Sequence, residues 1–132
     1  MYPDQLRYND HSMWVKVEEG DKARTGITSF YSEQVTKTIF VELPEEGIQV
    51  KKGQPFGSLE SSKSINDLLS PVSGKVTAVN HTLDTNPGLT NLDPYGEGWM
   101  VIIEMSNPLE LDSFMSSKEY EAWVEAKKKQ QS

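Results

Sequence analysis

The chain has 132 residues, no cysteine and a formal net charge of −7. That length suits one domain with its own core. The lack of cysteine excludes disulfides, thiolate metal sites and cysteine nucleophiles, and the acidic balance argues against nucleic acid, whose phosphates need a basic face.

No run approaches the ~18 apolar residues of a membrane span. The start, Met1-Tyr2-Pro3-Asp4-Gln5, lacks the basic and then apolar pattern of a signal peptide. A cytoplasmic setting without membrane attachment is therefore expected. The negative charge suits solubility, or steering towards basic clefts on partner proteins.

Residues 13–18 and 23–27 predict two strands, joined as a hairpin through Glu19-Gly20-Asp21. Residues 29–35 predict a short helix, with Thr28 or Ser29 as its N-cap. Residues 38–43, β-branched and aromatic, predict a strand closed by Pro44. Between Gly47 and Glu60, short strands alternate with glycine and proline corners, and the pattern recurs over residues 68–79. Gly53 lies 10 residues before Lys63 and Gly74 lies 11 after it. Two similar halves about a central hairpin imply a pseudo-twofold all-β sandwich.

Residues 80–98 are rich in turn formers, notably Asn86-Pro87-Gly88 and Asp93-Pro94. They predict a long loop, functional or inserted. Residues 99–105 form the last strand. After it the period changes. Asn107, Pro108 and Glu110 predict one helix start, and Ser116 with Glu119 predicts a second capping box. Leu111, Phe114 and Met115 can share one face, as can Tyr120, Trp123 and Val124. Lys127, Lys128 and Lys129 suit the negative end of the last helix. This segment is expected to cover an open face of the sandwich.

The chemistry-bearing feature is Lys63. A surface lysine is ordinarily just a solvated charge. This one sits at the predicted tip of a turn, in Glu60-Ser61-Ser62-Lys63-Ser64-Ile65-Asn66-Asp67. Ser61, Ser62 and Ser64 leave the amine uncrowded, and Glu60 can guide a modifying enzyme. Two flanking strands fix its base, as a covalent attachment point requires. Other candidates are weaker. His11 and His81 lack ligand spacing. Asp84, Asp93 and Glu97 do not form a calcium loop. The glycines near Tyr95 lack the Gly-Lys-Ser/Thr ending of a phosphate loop. No nucleophile or acid–base set is apparent, so the chain is read as a non-enzyme with no catalytic residues and no metal.

Four stretches carry a family resemblance. They are Gly26-Ile27-Thr28, Phe40-Val41-Glu42-Leu43-Pro44, the lysine motif from Glu60 through Asp67 and on to Ser70-Pro71-Val72-Ser73-Gly74, and Asp93-Pro94-Tyr95-Gly96-Glu97-Gly98-Trp99. With these, the chain from about Tyr8 to Trp123 resembles the H proteins of the glycine cleavage system. The resemblance implies a mainly β barrel-sandwich hybrid of the lipoyl/biotinyl kind, with a short helix after the first hairpin and a C-terminal helix. It implies one lipoyl-carrier domain over 1–132, with a core at about 8–105 and a helical segment at about 107–129.

It further implies lipoate joined by an amide to Lys63. In that cycle the arm takes an aminomethyl group from a pyridoxal-phosphate glycine decarboxylase (the P protein). It hands the one-carbon unit to a folate-dependent aminomethyltransferase (the T protein) and is reoxidised by dihydrolipoamide dehydrogenase (the L protein). A lipoate ligase or lipoyl transferase attaches the arm. Biotin is disfavoured, because biotin carriers place the lysine between methionines.

Some positions depart from the family pattern. Met13 stands where glutamate is usual, Ser29 where aspartate is, Val35-Thr36-Lys37 where Leu-Gly-Asp is, and Ser62 where valine is common. In the family the glutamate and the carboxylate matching Asp67 hold the charged amine of the loaded arm. Met13 thus implies a weaker grip or a different cargo, and Met13→Glu is expected to tighten it. A lipoate carrier in sulfur oxidation or lipoyl relay, or an unmodified β-sandwich interaction domain, stays open as an alternative.

Overall fold

The computed structural model describes residues 2–131. Strand β1 (Arg7–Tyr8) leads into the hairpin of β2 (Met13–Val17) and β3 (Lys22–Ile27). Helix α1 (Ser29–Val35) follows, then β4 (Thr38–Glu42) and β5 (Gln49–Val50). The central hairpin is β6 (Pro55–Ser61) and β7 (Ile65–Leu69). Strand β8 (Gly74–Val79), one-turn helices α2 (Thr82–Thr85) and α3 (Leu89–Leu92), and β9 (Val101–Met105) come next. A 3₁₀ turn (Pro108–Ser113) and helix α4 (Ser117–Gln131) end the chain.

The strands form two sheets. One runs β1-β2-β3-β9-β8-β5 and the other β4-β6-β7. The pairs β5–β8 and β6–β7 are both antiparallel, so the segments before and after Lys63 pair strand for strand, as their spacing implied. The inward positions, among them Val15, Ile27, Val41, Leu59, Leu68, Val76 and Ile103, make one apolar core.

The first three residues of β2, Met13 to Val15, are buried on both faces, while Lys16 and Val17 are exposed. Met13 and Val15 enter the main core, while Trp14 points the other way. Trp14 needs a cover, and α4 provides it. Tyr120 stacks on Tyr8 at 4.8 Å and on Trp123 at 5.5 Å, and with Tyr2, Phe30 and Val124 they form a second cluster around Trp14. The indole N–H donates to the Pro94 carbonyl at 2.9 Å, so even its polar atom is satisfied. The C-terminal helix is thus the lid that its apolar face implied. Its start is the expected capping box: Ser116 N–H donates to Glu119 Oε1 at 2.8 Å, and Glu119 N–H to Ser116 Oγ at 3.2 Å.

Two expectations needed revision. Residues 80–98 are not one long loop; they contain α2 and α3. Asn80 Nδ2 donates to the Glu97 and Trp99 carbonyls at 2.8 and 2.7 Å, closing the segment on itself. Asn91 accepts the Thr38 N–H at 2.9 Å and donates to the Thr36 carbonyl at 2.7 Å, tying it to the α1–β4 junction. The segment after Asn107 is 3₁₀, not an α-helix, and the Asn107 side chain makes no cap. Glu110 does not return to the turn. Its carboxylate accepts the N–H and the hydroxyl of Ser73 at 2.7 and 2.8 Å.

Candidate functional site

Lys63 is the middle residue of the three-residue link, Ser62 to Ser64, between β6 and β7. Tight hairpins favour turns with positive φ, yet neither Ser62 nor Lys63 adopts one. Ser61 supplies the missing closure. Its N–H donates to the Ser64 carbonyl at 2.8 Å. Its Oγ accepts the N–H of Lys63 at 3.1 Å and of Ser64 at 3.2 Å, standing in for a ladder bond. Ser61 is buried for this purpose, while Ser62, Lys63 and Ser64 are exposed. The tip is also fastened sideways, since Ser62 N–H donates to the Lys37 carbonyl at 3.1 Å and the Ser62 and Thr36 hydroxyls lie 3.3 Å apart. Among the described residues, nothing pairs with the Lys63 ammonium.

The three serines therefore differ in role. Ser61 braces the turn, Ser62 anchors it to the start of β4, and Ser64 orients Asn66, whose Nδ2 donates to its Oγ at 2.9 Å.

Glu60 pairs in register with Phe40 on one side and Ile65 on the other. These three share the outer face of the small sheet. Phe40 is 50% exposed and Ile65 72%, so a carboxylate framed by apolar surface stands beside Lys63. One row further down, Glu42, Ser58 and Asp67 are in register.

Asp67 and Asn66 border a cleft of about 290 Å³. The opposite wall is α1, through Phe30, Tyr31, Gln34 and Val35, and the end is closed by Asp10, His11 and Ser12. Burial, and then the nearby Asp67 charge, push the Tyr31 phenol up to about 12. The cleft thus joins apolar sides to a carboxylate rim, which suits a flexible chain ending in a cation.

Asp67 borders this cleft, and Met13 does not. Met13 is only 1% exposed, inside the main core, and Ser12 borders the cleft instead. Ser12 has a φ of 59°. Met13→Glu would therefore bury a carboxylate among apolar groups and would not add a second counter-charge to the cleft. Ser12, the α1 side chains and His11 as a rim residue were missed as cleft lining. They come from segments over 30 residues from Asp67, and no local pattern marks them. The other candidates stay dispersed. His81 lies 3.3 Å from Asp84, and Asp93 accepts the Glu97 N–H at 2.9 Å.

The family model described as Glycine cleavage H-protein matches residues 6–127. The chain belongs to the glycine cleavage H-protein family. It is 46% identical over 123 residues to the glycine cleavage system H protein of Brevibacillus brevis, covering 93% of this chain and 97% of the relative. It is 44% identical over 119 residues to that of Bacillus subtilis, covering 90% and 93%. The crystal structure of a glycine cleavage system H protein from Mycobacterium marinum superposes with a TM-score of 0.84 at 30% identity, covering 92% of this chain and 97% of that one. The lipoyl-type barrel-sandwich hybrid implied by the motifs is thereby the fold of this H-protein family member. No helix among the described residues is long and apolar enough to cross a membrane.

Proposed function

We propose that this chain is the lipoyl carrier of a glycine cleavage system, with lipoate in amide linkage to Lys63 Nζ. The observation that carries this is an unpaired ammonium on a turn held rigid by the Ser61 side chain. The residues present fit the group, since the amine is open to acylation and the adjacent cleft offers both apolar walls and the Asp67 carboxylate. When attached, lipoate supplies a disulfide that opens to accept a one-carbon amine and closes again on oxidation.

The chain's own residues bind, orient and shield. Ser61 and Ser62 hold the anchor still. Phe40, Glu60 and Ile65 give the lipoate ligase or lipoyl transferase a surface to read. Asp67 is the counter-charge for a cationic end resting in the cleft, and Phe30, Tyr31 and Val35 keep water from its aliphatic part. Tethering makes delivery between docked partners effectively intramolecular. Those partners are the glycine decarboxylase, the aminomethyltransferase and dihydrolipoamide dehydrogenase, in the cytoplasm. The protein itself is a carrier, not a catalyst. Residues 1–132 serve as one carrier domain, with the helical segment from about 107 to 129 closing the core.

Intact-mass measurement after co-expression with a lipoate ligase tests the attachment. A gain of one lipoyl group is expected, and Lys63→Arg should abolish it while keeping the fold, because guanidinium does not form the amide. A full gain in Lys63→Arg would overturn the assignment. Glycine-dependent bicarbonate exchange with the decarboxylase tests the pathway separately. Modified protein that supports no exchange would refute the glycine-cleavage role and leave the carrier role standing.

A further inference from the structure

We propose that Tyr120 is a positioning residue for the arm cleft: its hydroxyl clips the helical wall to the residue that closes the cleft's end and so sets how firmly a cationic arm end is held. This rests on the carrier reading above. Tyr120 lies on α4, fully buried and outside the cleft. Its hydroxyl donates to Ser12 Oγ at 2.8 Å and lies 2.7 Å from Thr28 Oγ1. A phenol has one proton, so Thr28 donates to Tyr120 and Tyr120 donates to Ser12. Thr28 Oγ1 in turn accepts the Tyr31 N–H at 3.2 Å, as the N-cap of α1. One hydrogen-bonded chain thus runs from the helix that forms one wall, through a single phenol, to the residue that closes the cleft's end.

The arrangement does more than fill space. Ser12 has a φ of 59°, a conformation serine keeps only when its surroundings impose it. Three hydrogen bonds hold it there: one from the Tyr120 hydroxyl to its Oγ, one from the Thr28 N–H to its carbonyl at 3.0 Å, and one from its own N–H to the Asn9 carbonyl at 3.2 Å. Without the phenol oxygen, Ser12 and the start of α1 keep only the backbone link. The ring packing against Tyr8 and Trp123 does not involve that oxygen. Tyr120→Phe therefore isolates the clip from the fold.

The chain has no cysteine, so Lys63→Cys offers one thiol. A thiosulfonate reagent with a flexible alkyl tether ending in a primary ammonium joins it as a disulfide, expelling sulfinate. A methyl-ended tether of equal length is the control. Amide chemical shifts of Asn66 and Asp67 report the docked fraction. The ammonium tether is expected to dock and the methyl tether not. Tyr120→Phe should lower the docked-to-free ratio about fivefold, the size of one net hydrogen bond. Tyr8→Phe is the packing control, because that hydroxyl donates only to the Pro3 carbonyl, at 2.7 Å, and it should leave the ratio unchanged. Ser12→Ala breaks the same link from its other end and should match Tyr120→Phe, which keeps the test open if the latter unfolds. Absence of docking in the Tyr120 background would sink the cleft reading and the clip with it. Docking abolished by Asp67→Asn but untouched by Tyr120→Phe and Ser12→Ala would overturn the clip alone. Equal losses in Tyr120→Phe and Tyr8→Phe would also overturn it, reducing the effect to general packing.

Discussion

Gly74→Ala should be the most damaging single-methyl change in this chain. Gly74 opens β8, with a φ of 156°, and faces Met105 of β9. A Cβ there would fall on the Glu104 carbonyl oxygen, with the carbonyl carbon at 2.8 Å and Ile103 Cγ2 at 2.9 Å. That carbonyl belongs to the strand ladder and cannot rotate away. Overpacking against a fixed neighbour costs about 1–3 kcal/mol, and the unfavourable φ adds on the order of 1–3. The lower entropy of the unfolded alanine chain returns under about 1. A net loss of roughly 3 kcal/mol follows, equivalent to a fall in Tm of about 10 °C. Gly53→Ala is the matched control. Gly53 has a φ of 84° but nothing within 4 Å of a Cβ, so only backbone strain applies, about 1 kcal/mol. Urea denaturation of both variants, compared at constant m-value, gives the two losses. Equal losses would refute the steric argument and leave φ alone as the cause.

Three further outcomes are expected. Ser61→Ala removes the oxygen that accepts two N–H groups at the turn. It should cost about 1–2 kcal/mol locally, seen as faster amide exchange at Lys63 and Ser64 with little change at Leu59. Met13→Glu should destabilise the fold by several kcal/mol, since position 13 is 1% exposed. A lower urea midpoint would show it, and an unchanged midpoint would mean that the strand turns outward. Stability should also fall steeply in alkali. Burial raises the phenols of Tyr2, Tyr8, Tyr31 and Tyr120, the last two to about 12. The unfolded chain ionises near pH 10 and releases protons the folded chain retains, so the contribution is complete below about pH 9. It is lost as pH rises through 10 towards 12, at about 1.4 kcal/mol per pH unit for each phenol. Urea midpoints from pH 8 to 11 test this, and Tyr120→Phe should flatten the slope.

Much of this was legible because it is local. The turn cluster Glu19-Gly20-Asp21 marked the hairpin of β2 and β3, Thr28 announced the start of α1, and Ser116 with Glu119 spelled a capping box that the hydrogen bonds reproduce. The lysine tip was legible too, since small polar residues between two strands leave little else for a turn to be. What escaped was decided at a distance. Glu110 reads as a helix-start residue until Ser73, 37 positions away, takes its carboxylate. Met13 reads as a cleft residue until the start of β2 proves buried on both faces, which depends on a helix over 100 residues later. Residues 80–98 read as a loop of turn formers until the amides of Asn80 and Asn91 close the segment on itself and tie it to the α1–β4 junction. The cleft has no local signature at all, because its walls meet only after the sheets have packed.

The pairing of β3 with β9 has a consequence for how the carrier is made. Thr25 lies opposite Val101 and Lys22 opposite Glu104, so the large sheet cannot close until β9 has left the ribosome. The hairpin bearing Lys63 is local and can form early, but the large sheet joins β3 to a strand made much later in the chain. Contacts so far apart in sequence form last. The braces of the lysine turn all lie in segments made before β9, so an acylating enzyme that reads only that turn can act before the large sheet closes, whereas one that reads the whole framework must wait for β9.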